Sequence, residues 1–134
     1  MPTTLDARPF LWGELTRLSE AAHAHLERHP SLSVASLDLF ATGIGPGRVE
    51  IYVAGELGQA CGHLLAWRNT LTHTSVCLVP SEEQPKAMLF GQLADDTSIT
   101  VVAPLDGDTI TGDATARTGD WELHWLRMHA STTP

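Results

Sequence analysis

Between residues 34 and 71 the hydrophobic pattern changes period, from two residues to about 3.6, immediately after Gly55. A chain with that change in its middle has to lay both strands and a helix against one core. Ser33-Val34-Ala35-Ser36-Leu37-Asp38-Leu39-Phe40 alternates imperfectly and Arg48-Val49-Glu50-Ile51-Tyr52-Val53 alternates cleanly, as half-buried strands do. Gly43-Ile44-Gly45-Pro46-Gly47 separates them. Its glycines can take positive φ and its proline offers no N–H to a ladder, so the segment reads as a hairpin loop longer than two residues.

Beyond Gly55, the residues Leu57, Ala60, Cys61, Leu64, Trp67 or Arg68 and Leu71 fall on one stripe, which predicts a helix laying one face on the sheet. Gly58, Gly62 and Ala66 form a second line at intervals of four. Interior glycines cost a helix about 1 kcal/mol each against alanine, so the line predicts a close neighbour along that side.

An earlier helix is expected over 10–29, with Leu11, Leu15, Leu18, Ala22, Leu26 and His29 inward and Glu14 and Arg17 off the stripe. Pro9 suits its first turn and Pro30 ends it. Strands are expected over 74–79, 87–94, 98–103 and 109–114, punctuated by the Asp95-Asp96-Thr97 and Asp106-Gly107 turns. Over 121–128 the spacing suits either a strand, through Trp121, Leu123 and Trp125, or a helix; the rhythm of the preceding meander favours a strand. The expected fold is α+β, two amphipathic helices on one face of a mostly antiparallel sheet in the order αββαβββββ.

A chain of 134 residues buries roughly two-thirds of its unfolded surface, so one domain over 1–134 folds without a disulfide or metal, with 1–8 and 130–134 expected to be flexible. The net charge of −8 comes from 16 acids against 8 bases, Lys86 being the only lysine. A nucleic-acid surface needs the opposite balance. No basic leader, apolar leader segment or membrane-length stretch is present, and a cytoplasmic protein is expected. Cys61 and Cys77, without a C-x-x-C, read as two buried small hydrophobes.

Catalytic motifs are missing: no Gly-x-Ser-x-Gly, no phosphate loop, no G-x-G-x-x-G after a strand. The glycine loop precedes a strand, so it lacks the helix dipole that a phosphate cradle uses. His25 and His29 are spaced i, i+4, the interval a metal can bridge, but Leu26 stands where a zinc protease needs glutamate. They are weak metal candidates, and no metal or other cofactor is expected. The acidic turns lack the spacing of a calcium loop. Four tryptophans are the notable surplus; Trp121 and Trp125, with His124 between them, are the candidates for an interface or ligand groove.

Helix, hairpin, a helix ending in Trp67-Arg68, then a threonine-rich meander: this order, together with few Lys, Asn and Ile beside abundant Ala, Thr and Arg, resembles short α+β proteins of actinomycete genomes that have no assigned activity. The resemblance implies no site residue and no cofactor. The expected function is a non-enzymatic protein–protein interaction module that self-associates as a homodimer, or joins a protein partner, with no nucleic acid and no membrane. The alternative is a small-ligand binder or enzyme with a pocket on the open sheet face. One consequence is directly measurable: the purified protein melts at the same temperature with and without a chelator. An equimolar metal content, with a chelator-sensitive melt abolished by His29→Ala, would reverse that expectation.

Overall fold

The computed structural model describes residues 8–79, 85–105 and 119–130, and the side chains of 123–130 within the last stretch. Three helices and five strands follow in the order α1 (Arg8–Arg28), β1 (Ser36–Phe40), β2 (Arg48–Tyr52), α2 (Leu57–Arg68), β3 (Thr72–Val79), β4 (Lys86–Gln92), β5 (Ser98–Pro104) and α3 (Gly119–Ala130). The sheet order is β1-β2-β5-β4-β3. All neighbours are antiparallel except β2 and β5, which run parallel with Arg48 beside Ser98 and Tyr52 beside Val102. Parallel neighbours need a crossover. Here α2, β3 and β4 together carry the chain across before β5 returns beside β2.

The odd-numbered residues of β2, β4 and β5 point to one core: Val49, Ile51, Ala87, Leu89, Ile99, Val101 and Ala103 are all buried. The helices cover that face with Leu18 and Ala22 of α1, Ala60, Cys61, Leu64 and Trp67 of α2, and Trp125 and Leu126 of α3. Helix α2 starts at Glu56, whose N–H donates to Gln59 Oε1 (3.1 Å), closing one side of a capping box. The helix after Gly55 therefore presents the face its spacing predicts, with Leu57 half-buried at its rim.

Several expectations are corrected. Residues 119–130 form helix α3, so a third helix replaces the last strand: Trp125 and Leu126 both enter the core, which consecutive residues of a half-buried strand cannot do. The expected strand over 109–114 lies outside the described residues. In α1 Leu18 and Ala22 are buried as expected, but the buried line continues through Glu14 and His25, and Leu11, Leu15 and Leu26 are half-buried. A Cβ built at Gly62 meets nothing within 4 Å and Ala66 is exposed, so the small-residue line of α2 has no close neighbour there. Cys77 is exposed, while Cys61 is buried and its desolvated thiol is pushed up to about 11. Among the described residues Gly55 is the glycine with positive φ, at 128°, and the loop glycines are not.

Two substitutions on α2 test this face assignment by denaturant unfolding. Leu64→Ala destabilises by about 2–5 kcal/mol, because the side chain is fully buried. Gly62→Ala stabilises by about 0.5–1 kcal/mol, because the added methyl group clashes with nothing and the helix recovers propensity.

Candidate functional site

Helix α1 is fastened to the sheet by one carboxylate. Glu14 is 8% exposed. Its Oε2 accepts the Gly47 N–H (2.6 Å) and an Arg17 Nη2 hydrogen (2.8 Å), and its Oε1 accepts Arg17 Nε–H (2.7 Å). Arg17 Nη1 in turn donates to Thr97 Oγ1 (2.8 Å) and lies 3.5 Å from Asp95 Oδ2. The Arg17 donors, then the Gly47 N–H, hold Glu14 down at about 2, against the opposing effect of burial. Gly47 is required by proximity, since a Cβ there would stand 2.3 Å from the Phe40 carbonyl and 2.8 Å from Leu18 Cδ1. A cleft of about 460 Å³ opens beside this cluster, between Phe10, Pro46, Asp95 and Ser98. Every polar group of the Glu14–Arg17 pair that faces it is already engaged, so the cluster reads as a clamp between α1, the β1–β2 loop and the β4–β5 turn.

His25 is the second buried polar group of α1. Its ring stacks on Trp67 (centroids 5.6 Å apart, 15° between planes) and Nε2 lies 2.8 Å from Thr70 Oγ1. The Thr70 hydroxyl donates its single hydrogen to the Trp67 carbonyl (2.8 Å), so Nε2 must be the protonated nitrogen of the ring. That leaves Nδ1 as a bare lone pair, the one buried side-chain N or O without a partner among the described residues. Protonation would bury an N–H with no acceptor. Desolvation, followed by the charges of His29 and Arg28, lowers His25 from the ordinary 6.5 to about 4. His29 lies 4.7 Å away, ring to ring, but among the described residues no three His, Cys, Asp or Glu side chains gather as a metal site. Trp67 continues the chain of contacts by donating Nε1–H to the Ser33 carbonyl (3.0 Å), just ahead of β1.

The other face of the sheet carries no helix among the described residues. Reading across the register, Cys77, Met88, Val102 and Tyr52 form one row over β3, β4, β5 and β2, and Phe90, Thr100, Glu50 and Asp38 form the next. The Tyr52 hydroxyl donates to Glu50 Oε1, which raises the tyrosine, and Arg48 lies 3.7 Å from Glu50 and over the Phe40 ring at 4.5 Å. A hollow of about 430 Å³ lies between Arg48, Glu50, Met88, Phe90 and Thr100.

Strand β1 and the segments bounding it expose several large apolar side chains. Eight large hydrophobic side chains are exposed among the described residues, and six belong to α1, β1 or the segments bounding β1: Phe10, Trp12, Val34, Leu37, Phe40 and Ile44. Trp12 is 68% and Ile44 97% exposed. Strand β1 is also a sheet edge, its outer side meeting no strand among the described residues.

The predicted candidates fall elsewhere. Trp125 is 6% exposed and packs in the core with its ring 4.2 Å from His129, His124 faces outward from α3, and the Trp121 side chain lies outside the described ones. The helical period turns His124 and Trp125 about 100° apart, so they do not share a face. Glu14 and Trp12 were passed over by periodicity, and His25 entered only as a weak metal candidate. The signal for Glu14 was available only as a helix position one step from a leucine; the signal for Trp12 was its place about 100° round the helix from Leu11, at the side of the leucine stripe.

The lowered His25 gives a pH test. Its stabilising contribution is complete above pH 6.5 and is lost as pH falls toward 4, because the unfolded chain takes up the proton that the folded chain refuses. Denaturant midpoints therefore drop between pH 6.5 and 4. In His25→Phe, which keeps a ring against Trp67, that part of the profile flattens.

Comparison with protein-family models, with curated proteins and with solved structures yields no match to this chain.

Proposed function

We propose that the protein is a non-enzymatic interaction module that self-associates through the β1 end of its sheet. The observation that carries this reading is the edge strand β1, whose outer side meets no strand among the described residues and whose Leu37 and Phe40 are exposed, with Val34 and Ile44 exposed in the flanking segments. Single exposed apolar residues are ordinary, but apolar side chains on and beside an unpaired edge strand are what a second chain can pair with and cover. A closed twofold dimer covers such a patch on both copies with one self-complementary contact. The polar clusters support the same reading from the other side: Glu14 and Arg17 satisfy each other, and His25 is sealed beneath Trp67, so neither offers a free acid or base to a substrate. No described helix is long and apolar enough to cross a membrane.

A second reading is favoured by the hollow on the helix-free face, where a guanidinium, a carboxylate and a phenol stand around Met88 and Phe90. That arrangement suits a small ligand with both polar and apolar parts.

Light scattering over a concentration series separates the two. The self-association reading expects a dimer that dissociates on dilution. Leu37→Lys, which places a charge in the edge strand, raises the dissociation constant at least about tenfold while unfolding stability stays within about 1 kcal/mol. A monomer at every concentration would remove this reading and leave the ligand alternative.

A further inference from the structure

We infer that β1 pairs antiparallel with β1 of a second copy about a twofold axis at Leu39, so that Asp38 of each copy meets Phe40 and the Arg48 guanidinium of the other. The inference rests on the self-association reading and specifies its geometry.

Backbone direction comes first. The Val53 N–H donates to the Val102 carbonyl (3.0 Å), so the peptide groups of Val53, Ile51 and Val49 face β5, and those of Tyr52, Glu50 and Arg48 face β1. Their partners Ser36, Asp38 and Phe40 face β2 in return. The N–H and C=O groups of Leu37 and Leu39 therefore point out of the sheet. A helical layer kept on one side, with a twofold axis normal to the sheet, permits antiparallel pairing centred on a residue of β1, and Leu37, Asp38 and Leu39 are the central choices.

Charge decides among them. Centring on Asp38 would set two carboxylates opposite each other in a non-hydrogen-bonded pair, where side chains approach most closely. Centring on Leu37 would put Asp38 opposite Ser36, whose neighbour Tyr52 is hydrogen-bonded to Glu50, an acidic setting. Centring on Leu39 puts Asp38 opposite Phe40, and Arg48 already lies across that ring, half exposed and 3.7 Å from Glu50. Each guanidinium is then placed to receive the other copy's Asp38. Two chains that each carry −8 need such a local attraction.

Single cysteines at positions 37, 38 and 39 in the full chain, in a Cys77→Ser background that leaves only buried Cys61, read the axis by oxidative cross-linking. Leu39→Cys is expected to link efficiently, its Cα atoms being about 5.5 Å apart, whereas Leu37→Cys pairs stand more than about 13 Å apart along the strands. Independently, Asp38→Asn in the native chain is expected to weaken the dimer about fivefold by sedimentation at low salt. A dimer that links best at 37 or 38, that links at none of the three, or that tightens in Asp38→Asn overturns the axis while leaving self-association standing. A chain monomeric throughout the concentration series overturns both.

Discussion

Strand β5 pairs parallel with β2 on one side and antiparallel with β4 on the other, and the layers of the molecule follow from that position. A parallel pair cannot be closed by a tight turn, so the chain between β2 and β5 has to travel over the sheet and back. Helix α2 makes the outward leg, which fixes it above the centre of the sheet with Ala60, Cys61, Leu64 and Trp67 against the buried residues of β2, β4 and β5. Because β5 is central, Ile99, Val101 and Ala103 are wholly covered, and even Val102 on the opposite face is 4% exposed between Tyr52 and Met88.

Helix α1 packs Leu18 and Ala22 into the core and adds polar contacts to the loops beside it. The Glu14 carboxylate binds the hairpin at Gly47 and, through Arg17, the β4–β5 turn at Thr97. A buried charge of this kind is tolerable because both its oxygens accept hydrogen bonds and Arg17 supplies the opposite charge. At the other end of α1, His25 and Trp67 join the helix to Ser33 and so to the start of β1. The edge strand is thus fixed at both ends, by the Gly47 loop and by the Ser33 carbonyl, while its middle stays open to solvent on its outer side.

The sequence by itself determined the α+β class, the strands around the glycine loop, and the inward face of α2. These features are local: alternation in β2 and the stripe from Ala60 to Trp67 need only neighbours within a few residues, and their periods differ enough to be told apart. The turn at Asp95-Asp96 was equally legible, because Asp96 takes the positive φ of 66° that such residues tolerate. Tertiary structure alone decided the rest. Trp121 to Met128 fits either period, and packing of Trp125 and Leu126 beside α2 selected the helix. The parallel pairing of β2 with β5 joins segments about fifty residues apart, a distance over which spacing carries no information. By spacing alone Glu14 is an outer helix position and His25 an ordinary one, and their burial depends on partners at Gly47, Thr70 and Trp67 that only the folded chain brings within hydrogen-bonding or stacking distance.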